Sequence, residues 1–287
     1  MVVREPWVAG TFYPDDPAQC RREAERLLRG PVANGSLPEQ PIGGVVPHAG
    51  WRFSGAICAK VIAFLAAKRT PQTVVLAGTV HVPEVRYPST MAFGTWRTPV
   101  GSIEVDCEFA QRLIATGLVQ DFAQGFVREH SIEVPLPMVV LAFPNAWLVP
   151  LMVPPSVSGV EVGQAVAEVA RQLGRETVVL ASSDLTHYGP NYGFTPAGLG
   201  EAALQWTKQE NDRAILEAIE QLQAEAIVPM VRQRHNACGP AAIASILSAA
   251  RQLGARRGYV LEYATSHDIL PTGPPQNFVG YVGAVLG

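Results

Sequence analysis

The chain lacks a long apolar run. No stretch approaches the ~18 uninterrupted apolar residues that a spanning helix needs, and the opening "MVVREPWVAGTFYP" has no apolar segment of the signal-peptide kind. It also lacks an excess of positive charge. Lys and Arg number 22 against 25 Asp and Glu, a net charge of −3, so no basic field is available for nucleic acid or an anionic membrane. A soluble, cytoplasmic protein is expected. Four cysteines (Cys20, Cys58, Cys107 and Cys238) are widely spaced and form no CxxC pair, which argues against a disulfide framework or a zinc ribbon. Nucleotide cradles are absent as well: there is no GxGxxG after a strand and no GxxxxGK[ST]. Without a GxSxG elbow, Ser182 and Ser183 have no setting as nucleophiles. HExxH is missing, and the single His of "REHSIE" does not replace it.

What is present is core material, at 48% hydrophobic and 16% charged residues, too little charge for a disordered chain. Short apolar runs alternate with amphipathic stretches. "PIGGVVPH" (41–48), "TVVLAG" (73–78), "AWLVPLMV" (146–153) and "TVVLASSD" (177–184) read as strands, joined at the end by "GYVLEYATS" and "FVGYVGAVL". Between them lie helical stretches such as "SGAICAKVIAFLAAKR", with Ser54 as its cap, and "CGPAAIASILSAARQLG", with Pro240 in the first turn. "EHSIEVPLPMVVLAF" is expected to open a helix despite Pro135 and Pro137. Strands that are near-continuous Val/Leu/Ile runs predict an α/β fold, a central mostly parallel sheet covered by helices on both faces. No composition break or repeat divides the chain, so one domain over 1–287 is expected.

The six histidines carry most of the functional signal. His48 follows the first strand, His81 the second, and Asp184 with His187 the fourth. Sites in such sheets form at the carboxyl ends of strands, so three strands deliver an imidazole to one edge. Cys238, in "NACGPAAI", is expected at a helix N-terminus, where free N–H groups favour thiolate. Imidazoles plus a thiolate suit Zn, Fe or Cu rather than Mg or Ca. Three strong ligands leave coordination positions open, the pattern of a catalytic centre.

Each residue also has a plainer reading. A single histidine after a strand is ordinarily a loop residue, and Asp184 alone caps a turn as readily as it does chemistry. Cys20, Cys58 and Cys107 read as small core residues. Glu129 and His130 read equally as a solvated helix start. His235 reads as a surface residue apart from the site, and His267 as either a turn residue or a cleft wall.

The sequence resembles the MEMO family, found in bacteria and archaea as protein B of the AmmeMemoRadiSam system and in eukaryotes as a mediator of cell motility. The matching segments span nearly the whole chain: "VREPWVAGTFYPDDPAQCRREAERLL", "VPHAGWRFSGAICAKVI", "REHSIEVPLPMV", "SSDLTHYGP", "NACGPAAI" and "LEYATSHD" with "FVGYVGAVL". The resemblance implies a fold similar to class III extradiol dioxygenases, with His48, His81 and Cys238 at the metal-binding positions. Asp184 and His187 match positions lining the same cleft, as further ligands or as an acid/base pair, and His130 is implied to lie close by. It implies Fe(II) or Cu and redox chemistry on a small-molecule or peptide substrate, with other AmmeMemoRadiSam components as partners. A zinc metallohydrolase with Asp184 as base, and a non-catalytic peptide-binding module, are the alternatives. The chain departs from the family pattern at Val80, where an Asn is usual before the second His, at Trp51 and at His267.

Overall fold

Branched aliphatic runs form the centre of the fold because both of their faces are covered. The computed structural model describes residues 2–30, 37–155 and 159–287. Gly43–Val46, Thr177–Ser182, Thr73–Gly78 and Trp147–Met152 lie side by side in that order, all parallel. Successive side chains of a strand point to opposite faces. Val45, Val75, Ala77, Val149, Leu151, Val179 and Ala181 accordingly enter one core, packed by helices Cys107–Ala115, Gly159–Leu173 and Pro240–Gln252. Val46, Val74, Leu76, Leu148, Val178 and Leu180 enter the other, under helices Pro17–Leu28, Ala56–Lys68 and Leu136–Ala142. The α/β architecture is as expected.

The sheet is mixed, with its parallel pairing concentrated in these four strands. Phe278–Leu286 runs antiparallel to Gly43–Val46, and Gly258–Thr265 and His187–Tyr188 both run antiparallel to Phe278–Leu286. The 266–277 connection carries only a four-residue helical turn, Ser266–Ile269, and sends the chain straight back rather than over the sheet. At the other margin Ser89–Thr90 is antiparallel to Trp147–Met152.

Several local expectations need correction. Ser54 does not cap the helix that follows it: Trp51–Gly55 is a π-helical turn running directly into Ala56–Lys68, and the Ser54 hydroxyl donates to the Ala49 carbonyl. Cys107 is exposed, at the first turn of its helix. Pro135 and Pro137 are accommodated at the cap and first turn of Leu136–Ala142, where no N–H is missed. A second sheet was not anticipated. Val3–Arg4, Thr95–Thr98 and Gly101–Glu104 form it from short, largely polar segments without a hydrophobic period.

That small sheet carries Arg4, a buried clamp. Its guanidinium lies 4.7 Å from the Trp96 ring centroid, donates to the carbonyls of Phe126 (3.1 Å) and Glu129 (2.7 Å), and pairs with Glu133. Glu133 is fully buried and also accepts from the Tyr13 hydroxyl (2.6 Å) and the N–H groups of Trp7 (2.9 Å) and Val8 (2.8 Å). The N-terminal segment is thereby tied to the 126–135 loop. Removing one partner strands a buried charge, so Arg4→Ala should lower stability by about 3–5 kcal/mol. Urea unfolding measures this, and a loss below about 1 kcal/mol would mean that the loop is held by other contacts.

Candidate metal centre

Register decides where the reactive residues meet. Val46, Ser182 and Gly78 pair at one level of the sheet, so the chain leaves three adjacent strands side by side. His48 lies two residues beyond its strand, Asp184 two beyond its own and His81 three. The 129–131 segment is laced over these ends: the Ser131 hydroxyl donates to Thr79 O (2.8 Å), and the Ser182 hydroxyl donates to Ser131 O (2.6 Å). Cys238 arrives from the opposite side, its N–H on Asp184 O (3.1 Å). A side chain on Gly239 would place Cβ 2.3 Å from Thr79 Oγ1, so the close approach of this turn to the strand end needs glycine.

One donor atom each from His48, His81 and Cys238 lies within 4.8 Å of the others. Cys238 Sγ is 3.5 Å from His48 Nε2. Hydrogen-bond accounting fixes the imidazoles. Ser182 spends its only proton on Ser131 O, so at 3.0 Å it accepts from His48 Nδ1, leaving Nε2 as a lone-pair donor toward Cys238. His81 Nδ1 faces the fully buried Glu129 Oε1 at 2.9 Å, and a donor atom of the same ring lies within 4.8 Å of Cys238 Sγ. Glu129 Oε2 holds the backbone N–H of His81 (2.7 Å), and Oε1 that of Ser131 (2.8 Å). A carboxylate behind a ligating imidazole orients the ring and raises its basicity.

The electrostatics favour a cation here. Burial lowers the His81 imidazolium, but its bonds to Cys238 and Glu129 outweigh burial and lift it to about 9. Burial likewise raises the Glu129 carboxyl, yet His81 and the backbone N–H groups hold it down at about 2. Burial and the neighbouring His48 and His81 push His130 down to about 4. Two nitrogens and a sulfur of this kind fit Zn, Fe or Cu.

The remaining candidates take other places. Asp184 Oδ1 accepts the backbone N–H of His48 (2.8 Å), and its own N–H donates to Cys238 Sγ (3.2 Å). Asp184 therefore positions two of the three donors rather than joining them. His187 Nδ1 donates to Leu185 O (3.0 Å), leaving Nε2 unprotonated, and burial lowers its basicity. His187, Tyr192, Phe194, Val231 and His235 line a cavity of about 500 Å³ that reaches Cys238. His235 thus belongs to the cleft wall, while His267 sits in the Ser266–Ile269 turn outside the donor set. Cys238 lies directly before the helix cap: Gly239 is the cap and Pro240 the first helical residue. Its sulfur is met by the Asp184 N–H instead of the helix end. His130 does lie close by, its ring 4.4 Å from His81 and 5.6 Å from His48. Glu129 is the residue sequence reasoning passed over. Its signal was an acid directly before a histidine in "REHSIE".

Comparisons with a protein family and with curated proteins match nearly the whole chain. The family described as "Memo-like protein" matches residues 4–285. A MEMO1 family protein of Methanopyrus kandleri is 37% identical over 295 residues, covering 99% of this chain and 98% of the relative. A MEMO1 family protein of Methanothermobacter thermautotrophicus is 32% identical, covering 98% and 99%. An uncharacterized protein from Escherichia coli K12 superposes with a TM-score of 0.46 at 15% identity, covering 78% of this chain and 90% of that one.

Behind the site, buried Asp212 accepts from the N–H and hydroxyl of Thr186 and from the Tyr263 hydroxyl (2.8 Å). Burial raises it from 3.8 to about 6 against these bonds. A raised acid contributes stability that is complete below pH 3.8 and is lost as pH rises through about 6. Between pH 4 and 8, wild type should lose about 2–3 kcal/mol relative to Asp212→Asn. Parallel urea-unfolding profiles for the two proteins would show that the fold does not disfavour the ionised form.

Proposed function

The chain belongs to the Memo-like protein family, and on that premise we propose that it is a metal-dependent oxidoreductase holding iron or copper on His48, His81 and Cys238. The observation that carries this reading is the convergence of three donor atoms within 4.8 Å, with both imidazoles held at Nδ1 by buried acceptors. A bound iron or copper ion supplies one-electron chemistry and Lewis acidity at coordination positions that three protein ligands leave open.

The chain's own residues prepare that chemistry. Ser182 and Glu129 each accept an Nδ1 proton, which leaves Nε2 of both rings for an ion; His81, whose imidazolium is stabilised by its neighbours, gives up its Nε2 proton when an ion binds. Asp184 couples His48 to Cys238 through two backbone contacts, fixing their spacing. The cavity beside Cys238 receives a small substrate against Tyr192 and Phe194. His187 Nε2, left free by the bond to Leu185, accepts a substrate proton there. The hydrolytic alternative needs Asp184 as a base through Oδ2, since Oδ1 accepts the His48 N–H.

Protein purified without oxygen is expected to carry iron or copper and to show a thiolate-to-metal charge-transfer band that Cys238→Ala removes. Elemental analysis together with anaerobic absorption and EPR spectra tests this. Zinc alone, or a redox metal whose spectrum is unchanged by Cys238→Ala, overturns the reading.

A further inference from the structure

Three imidazoles crowd this end of the cleft, and the proposed ligand set uses two. The third, His130, has a side chain only 19% exposed, yet its ring makes no hydrogen bond among the described residues. It stacks on His81 at an interplanar angle of 21°, and its Nδ1 lies 3.9 Å from Glu129 Oε1. The same oxygen lies 2.9 Å from His81 Nδ1. Donor atoms of His81, Glu129 and His130 all fall within 4.8 Å of one another.

Glu129 adds a second reason to look here. It is fully buried, and among the described residues no Lys or Arg side chain pairs with it. The one nearby guanidinium, Arg4, donates to the Glu129 backbone carbonyl and gives its ion pair to Glu133. A buried carboxylate met only by imidazoles and two backbone N–H groups is a place for a cation. Its orientation does not depend on what occupies Oε1, because Oε2 is anchored on the His81 N–H and Oε1 also holds Ser131 N–H.

We propose that His81, Glu129 and His130 form a second metal position that shares His81 with the first. His81 Nε2 serves the ion held with His48 and Cys238, and Nδ1 serves the second. Two donors 2.9 Å apart can both reach one ion at about 2.1 Å. The second ion replaces the Nδ1 proton, which passes to solvent, and the ring becomes a bridging imidazolate. Two nitrogens and a carboxylate oxygen make a harder set than the thiolate position, suited to Fe(II), Mn(II) or Zn(II). The inference rests on the first position proposed above.

Anaerobic titration of metal-free protein with Co(II) tests it. Wild type should take two equivalents, one with a thiolate charge-transfer band and one without. His130→Ala and Glu129→Gln should each take one and keep the band. Cys238→Ala should take one without it, and His81→Ala, which removes the shared donor, should weaken both. Circular dichroism confirms that the variants are folded, and His130→Ala decides if the buried Glu129→Gln is not. Saturation of wild type at one equivalent, or two equivalents retained by His130→Ala, overturns the inference and leaves Glu129 as an orienting group only. The band in wild type reports separately whether the thiolate position stands.

Discussion

The site depends on one segment, 129–133, whose two buried acids face in opposite directions. Glu129 turns toward the cleft and holds His81 by both its ring and its backbone N–H. Glu133 turns away and gathers Arg4, Tyr13 and the N–H groups of Trp7 and Val8. Each carboxylate would be costly to bury alone, and each is made tolerable by the groups it organises. The N-terminal strand, the aromatic "WVAGTFYP" stretch and the cleft-facing loop are therefore one construction. Arg4 also donates to the carbonyl of Glu129 itself.

The parallel sheet supplies the other half of the geometry. Because Val46, Ser182 and Gly78 end at one level, short exits bring His48, Asp184 and His81 into contact without long loops. Hydroxyls then act as spacers. Ser182, Ser131 and Thr79 form a chain of donors and acceptors beneath the imidazoles, and that chain decides which His48 nitrogen is free. The cleft is polar at its floor and aromatic toward the 500 Å³ cavity, where His187, Tyr192 and Phe194 stand.

Much of this was legible along the chain. Apolar runs buried on both faces announce a covered sheet, and residues just past such strands fall at its functional edge because strands have directions and ends. His48 and His81 were picked out in that way, and Cys238 from its expected place at a helix N-terminus. The polar N-terminal sheet was not, because Thr95–Thr98 has no period to read and exists through pairing with distant partners. Ser54 looked like a cap from its position, but the preceding turn is already helical and leaves no helix end to cap.

Sequence by itself determined the kinds of donor, the strands that deliver them and the family signature, because composition and hydrophobic period are local properties. Tertiary structure decided the roles. Asp184 and His187 sit three residues apart in "SSDLTHY", yet one positions the backbone of His48 and the other faces the cavity. Glu129 looked like a solvated acid and proved fully buried against His81. The roles of Asp184 and Glu129 are set by a lone pair meeting an N–H 136 and 48 residues away along the chain, and only the folded arrangement contains that information.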